Sequence, residues 1–183
     1  MSSAASTIHQ GRLRTRVAVF VCVAVALIAL DQITKFIAVE QLSDGSSHTV
    51  IPRALSFRLL YNPGATLGMG SGSTWVISVA AIVACVVLAV FALRTVSVKW
   101  TVALSIAFAG AAGNLIDRII HADGFLNGKV TDFLDYGWSV GNVADAYLTV
   151  AAVAIVILVI MSEPFSADSA KTAKKVGNGS ENE

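Results

Sequence analysis

The sequence predicts an all-α membrane protein built on four transmembrane helices. Three observations carry this. The 183 residues are 55% hydrophobic and only 14% charged, where a soluble domain carries about 25% charge. Four apolar runs, at 17–39, 74–93, 100–120 and 143–162, each approach the ~20 residues that a helix needs to cross a ~30 Å hydrocarbon core. The polar residues that interrupt this pattern fall in a few short motifs, mostly towards one end of the runs.

Mean hydropathy is +0.72 and the length suits one domain. The formal net charge of +1 carries no signature of nucleic-acid binding. Cys22 and Cys85 lie inside separate apolar runs and read as small hydrophobes, not as a disulfide framework. His9, His48 and His121 are scattered without metal-ligand spacing. No metal or organic cofactor is expected.

The four runs are helices because a lipid-exposed segment must satisfy its own backbone hydrogen bonds. The first run follows Arg12, Arg14 and Arg16 and competes with a signal-peptide reading. No clear small-x-small cleavage site follows and the run continues to Val39, so a retained helix is the expectation. Lysine and arginine counts orient the bundle. Arg12, Arg14, Arg16, then Arg94 and Lys99, then Lys171, Lys174 and Lys175 fall on one side of a four-span chain. The longer connections on the other side, 40–73 and 121–142, hold only Arg53, Arg58 and Lys129. Both termini are therefore expected in the cytoplasm. Residues 1–16 read as an N-terminal tail, 17–162 as the membrane domain, and 163–183 as a polar, disordered cytoplasmic tail.

In the first outer connection, Leu55, Phe57, Leu59 and Tyr61 alternate with Ser56 and Arg58. A period of two is an amphipathic strand or hairpin, here at the membrane surface over 50–61. "NPGATLGMGSGS" follows and is rich in turn residues. The second outer connection mixes turn residues with Phe125, Phe133, Tyr136 and Trp138, aromatics suited to the headgroup level.

Five polar motifs need a physical reason, because one ionised side chain at a bilayer centre costs about 2.5–3.5 kcal/mol on insertion scales. "DQITK" places Asp31 and Lys35 at i,i+4 in the favourable order, which suits a structural ion pair as well as a chemical role. Asn62 in "YNPGATLG" reads equally as a turn residue and as an amide at a substrate site. In "GNLIDR", Asn114, Asp117 and Arg118 share a helix face. Ala109 and Gly113 precede that face and permit close helix approach, so it points into the bundle. "VTDFLDY" holds Asp132 and Asp135 in the outer connection, and "GNVADAYL" holds Asn142 and Asp145 at the mouth of the fourth span. Asp145 is followed mostly by apolar residues and should be partly desolvated. Two carboxyls that approach closely share a proton, leaving one as base for water and one as acid for the carbonyl or the leaving amine. No particular serine supports a Ser–Lys pair with Lys35.

These motifs, in this order and spacing, resemble the lipoprotein signal peptidase (signal peptidase II) family of bacteria. The resemblance covers Val17 to Met161, through "DQITK", "NPGATLG", "GNLIDR", "VTDF" and "NVAD". It implies a small extracytoplasmic β-sheet and an outer loop or short helix beside the four helices. It implies an intramembrane aspartyl endopeptidase of the cytoplasmic membrane, multi-pass, with its site towards the extracytoplasmic face. That enzyme would remove signal peptides from diacylglyceryl-modified prolipoproteins, cutting before the lipid-modified cysteine. The catalytic pair carried over by motif is Asp132 and Asp145, a choice that sequence alone leaves open against Asp117. Asn62, Gly64, Asn114, Arg118 and Asn142 would line or order the site, with Asp31 and Lys35 in support. Membrane lipids are the other implied partner, and oligomeric state is left open with a monomer as the default. The family's usual G-A-A-F is here Gly64, Ala65, Thr66 and Leu67, a departure that removes an aromatic. Intramembrane acids and an arginine also mark ion paths, so a small ion or solute transporter is the competing class. An inert assembly subunit held by Asp–Arg pairs is a third.

Overall fold

The computed structural model describes residues 2–64, 71–167 and 169, with side chains from Leu13 onward. Four helices and a small antiparallel sheet make up the chain. They are α1 (Ser2–Leu42), β1 (Ser47–Ile51), β2 (Leu55–Asn62), α2 (Thr74–Arg94), α3 (Val98–Ile120), β3 (Val130–Asp135), β4 (Val140–Gly141) and α4 (Val143–Ile160). A single 3-10 turn, Ser71–Ser73, leads into α2. All four helices are long and apolar enough to cross a membrane, over Leu13–Leu42, Thr74–Arg94, Val98–Ile120 and Val143–Ile160. The predicted class holds: a mostly helical membrane protein with a minor sheet.

α3 is the central helix. Of its apolar stretch 56% is buried, against 11%, 11% and 17% for α1, α2 and α4. Small residues make this possible, because without a hydrophobic driving force between helices in lipid, close van der Waals packing must hold them together. A Cβ on Gly110 would lie 2.7 Å from the Ala144 carbonyl oxygen and 2.8 Å from Leu148 Cγ. One on Gly113 would lie 2.5 Å from Asp31 Oδ2. α4 and α1 therefore press against α3 where it lacks side chains. The expected pair Ala109 and Gly113 is buried, but the closest approaches use Gly110 and Gly113.

The sheet runs β1-β2-β3-β4, every pair antiparallel. The predicted strand at 50–61 is a hairpin, β1 and β2, turning through Arg53 at φ 64°. Its burial does not alternate cleanly, because the register with β3 shifts between Phe57 and Leu60. Leu59 packs towards Ala38, Leu42 and Phe133, seating the sheet on the outer end of α1, while Phe57, Leu60 and Tyr61 are exposed. β3 is not legible as a strand, since Val130 to Phe133 are all buried and show no period of two.

Two stretches read as tails carry regular structure or contacts among the described residues. Helix α1 already starts at Ser2, so the 1–16 stretch is largely helical. Once a helix is nucleated, each added residue gains one hydrogen bond at little further cost. At the other end, the segment from Glu163, expected to be disordered, starts as a packed strap. Glu163 accepts from Ser97 Oγ and Lys99 Nζ, both at 2.8 Å, and its carbonyl accepts from Trp100 Nε1. The Phe165 carbonyl accepts from Val96 N and Thr95 Oγ1, and its ring meets Phe91 and Trp100 edge-on. Composition cannot foresee a strap whose partners lie on the α2–α3 turn.

Gly110→Ala should destabilise the bundle by about 1–3 kcal/mol, the usual cost of overpacking. The measurement is the unfolding midpoint in detergent, and a variant as stable as the parent would contradict the close α3–α4 approach.

Candidate active site

The site grows from the start of α4. Asn142 is the N-cap residue, and its side-chain oxygen accepts the Asp145 backbone N–H at 3.1 Å. Asp145 Oδ2 in turn accepts the Asn142 backbone N–H at 3.2 Å. This reciprocal capping box satisfies two donors that a helix start leaves orphaned, and it holds the Asp145 carboxyl beside the N-cap. Gly141 must lack a side chain, because a Cβ there would lie 2.9 Å from Asp145 Oδ2.

The sheet delivers the second carboxyl. Leu60 pairs with Asp132 and Asn62 with Val130, so Asn62 and Asp132 are diagonal neighbours on one face. Asn62 Nδ2 donates to Asp132 Oδ2 at 2.9 Å, while Asn62 Oδ1 accepts from Gly64 N at 2.9 Å. Asn142 Nδ2 donates both its hydrogens, to Asp132 Oδ1 at 2.6 Å and to Asn114 Oδ1 at 3.0 Å. Asn114 Nδ2 donates to Asp145 Oδ1 at 2.9 Å. One residue, Asn142, thus touches both carboxyls, Asp132 with its side-chain amide and Asp145 with its backbone N–H, and Asn114 closes the ring.

Asp132 is 2% exposed, whereas Asp145 is half-buried. Burial pushes the Asp132 carboxyl up to about 6, and nearby Asp145 pushes the same way. The amide donors of Asn62 and Asn142, and the more distant Lys35 ammonium, oppose the shift. Tyr136 stands over the same place. Its ring edge would lie 3.7 Å from a Cβ on Gly141, and its phenol is pushed up by burial and then by Asp145 and Asp132.

Arg118 makes a wall and does not bond either acid. Its two terminal nitrogens donate to the Gly64 carbonyl at 2.8 Å and the Asn114 carbonyl at 3.2 Å. It clamps the 62–64 turn onto α3, which is the backbone-carbonyl role a permanently charged group can fill. Asp117, next in sequence to Arg118, pairs instead with Lys35 Nζ at 3.2 Å. Lys35 also pairs with Asp31 at 2.9 Å and donates to Asn114 Oδ1 at 3.1 Å. Asp135 lies apart on the sheet with Arg58 at 2.9 Å.

Known proteins are similar to this chain over most of its length. The model of the family described as signal peptidase (SPase) II matches residues 23–161. The chain belongs to the signal peptidase II family. The lipoprotein signal peptidase of Bifidobacterium longum subsp. infantis is 68% identical over 160 residues, covering 87% of this chain and 88% of that protein. That of Mycobacterium avium is 39% identical over 163 residues, with 87% and 88% covered. A solved bacterial membrane enzyme, determined by the in meso method at 1.9 Å resolution, is 32% identical with a TM-score of 0.66, over 76% of this chain and 91% of that one. A second, at 2.3 Å, is 31% identical with a TM-score of 0.67, over 78% and 88%.

Within this signal peptidase II chain, Asp132, Asp145, Asn62, Asn114 and Asn142 form one connected network, with Gly64 and Arg118 at its wall. Asp31 and Lys35 join it through Asn114. Ala65, Thr66 and Leu67, where the sequence departs from the family pattern, lie outside the described residues. Sequence reading missed Gln32, whose Nε2 reaches Asp31, Asp117 and the Gly113 carbonyl. It also missed Tyr136, and the backbone amides of Thr131 and Ala144, which donate to Asp117 and Asp31. The capping box was missed as well, although a cap residue followed three positions later by an acid before an apolar run is a signal that could have found it.

Asn142→Ala should cost about 0.5–2 kcal/mol of stability through the lost cap, read as a lower unfolding midpoint. Activity should fall further than that loss of folded protein accounts for, because Asp132 loses a donor and the cap that holds the Asp145 backbone is gone.

Proposed function

We propose that this member of the signal peptidase II family is an intramembrane aspartyl endopeptidase. It removes signal peptides from diacylglyceryl-modified prolipoproteins, cutting just before the lipid-modified cysteine. The observation that supports this most is Asn142, whose side-chain amide and backbone N–H bond two carboxyls from separate segments in surroundings dry enough to raise one of them.

In this reading the pair holds one proton, carried by Asp132 below a pH of about 6. Asp145, the more exposed member, takes a proton from a water between them as that water attacks the scissile carbonyl. The carbonyl carbon becomes tetrahedral, and Asp132 donates to the developing oxyanion. Collapse expels the amine, which leaves with a proton from the pair. General acid–base assistance of this kind is worth about 10²–10⁴-fold, and positioning of the peptide supplies much of the rest. Asn62 and Asn114 suit this because an amide both donates and accepts. The acyl chains of the substrate lie in lipid beside the bundle.

A transport path fits less well. The buried hydroxyls of Thr101 and Ser105, on the inner part of α3, bond carbonyls at the N-cap and within their own helix instead of pointing to a polar path. The inner end is also where basic Arg14, Arg94 and Lys99 lie, and the strap from Glu163 returns there. This supports termini on the cytoplasmic side and a site towards the extracytoplasmic face.

Asp132→Asn and Asp145→Asn should each abolish prolipoprotein processing in reconstituted membranes; near-normal cleavage by either would end the catalytic assignment. The rate should also fall as pH rises through about 6, when Asp132 loses the shared proton. Asn62→Ala removes a donor that favours the ionised carboxyl, so that alkaline limb should move to higher pH. A limb that stays in place or moves down would refute the assignment of the proton.

A further inference from the structure

The two acids of the proposed pair come from a strand and a helix, and nothing short in the chain fixes their separation. Each is preceded by a residue whose backbone N–H is held by another carboxylate. Thr131, just before Asp132, donates its N–H to Asp117 Oδ2 at 2.9 Å. Ala144, just before Asp145, donates its N–H to Asp31 Oδ1 at 3.0 Å. Those two carboxylates, one on α3 and one on α1, are tied together by a single ammonium. Lys35 Nζ lies 2.9 Å from Asp31 Oδ2 and 3.2 Å from Asp117 Oδ2. Gln32 Nε2 bridges the same two groups, at 3.1 Å each. Lys35 also donates to Asn114 Oδ1, and Asn114 holds Asp145.

We propose that Asp31, Lys35 and Asp117 form a yoke that sets the spacing of Asp132 and Asp145 through the Thr131 and Ala144 amides. The three are positioning residues, not catalytic ones. The proposal rests on the reading of Asp132 and Asp145 as the catalytic pair, and extends it to groups that touch neither water nor peptide. Their exposures are 0% for Asp31, 4% for Lys35 and 2% for Asp117, so the yoke is sealed from solvent. Gly113 closes it on the α3 side, where any side chain would meet Asp31 Oδ2.

The chemistry of burial favours this over a role in stability. A buried ion pair contributes little net stability compared with well-packed apolar residues, because desolvation cancels most of the attraction; its best-attested use is to specify one arrangement. Here the arrangement specified is the pair of amides that precede the two acids. The yoke also reaches Asp132 through its charge. The groups facing that carboxyl are Asn62 from β2, Tyr136 from just after β3, Asn142 and Asp145 from the start of α4, Arg118 from α3 and Lys35 from α1.

The test compares kcat, KM and the pH profile for a diacylated lipopeptide, per folded enzyme in reconstituted membranes. Lys35→Met and Asp117→Asn are the variants, with Lys99→Ala at the far end of the bundle as the control. Asp117→Asn keeps an acceptor for Thr131 while it removes the charge that ties it to Lys35 and the acceptor for Gln32 Nε2, so it carries the test if Lys35→Met does not fold. Each should lower kcat by about 10²-fold, the cost of a misplacement near 1 Å, with KM nearly unchanged. Lys35→Met should also move the alkaline limb to higher pH, since the ammonium no longer favours the ionised acid. Asp31→Asn combined with Asp117→Asn should cost less than the product of the single losses, because both act through one lysine. Folded variants with parental kcat would overturn the yoke, as would a smaller folded fraction with kcat per folded enzyme and the limb unmoved. If Asp132→Asn is inactive in the same assay, the yoke alone fails; if Asp132→Asn is active, the catalytic reading itself fails.

Discussion

The structure depends on supplying hydrogen-bond donors to carboxyls that the fold removes from water. A buried acid without partners is far more costly than any single packing contact, and five aspartates gather at the outer end of this bundle. Asp31 and Asp117 receive an ammonium, a side-chain amide and backbone N–H groups. Asp132 and Asp145 receive amides and a backbone N–H, with no cation in direct contact. Asp135 remains at the sheet surface with Arg58. The two pairs are thus held by different chemistry: a lysine ties Asp31 to Asp117, while amides link Asp132 to Asp145.

That division explains why asparagine recurs. Asn62, Asn114 and Asn142 each donate to an acid and accept at the other end, so the network has direction and no spare hydrogen at Asn142. Shortening any one of them leaves a buried acceptor unpaired, which costs about 1–3 kcal/mol. Arg118 is set back from the acids by its bonds to the Gly64 and Asn114 carbonyls. It lends positive potential without forming an ion pair that would hold either acid ionised.

Small residues serve the same end. Gly113 admits the Asp31 carboxylate against α3, Gly110 admits the first turn of α4, and Gly141 leaves room for the Asp145 carboxyl. Helix packing and site geometry are therefore one problem: the helices must approach closely before the donors can reach the acids. The outer sheet, seated on α1 by Leu59, Phe133, Ala38 and Leu42, brings Asp132 into the same place.

What the sequence by itself determined is what depends on local pattern. Four spans followed from apolar length, the hairpin from a period of two, and the resemblance to the family from five short motifs in order. Spacing also put Asp31 beside Lys35, and Asn142 three residues before Asp145. Only the tertiary structure decided which partners those residues take across the bundle. Asp117 turned to Lys35 and away from its neighbour Arg118, β3 emerged from a fully buried run without alternation, and the chain after Glu163 folded back onto the α2–α3 turn. Such choices pair residues 14 to 113 positions apart, and no periodicity in one segment encodes the donor that another segment will offer once the helices have packed.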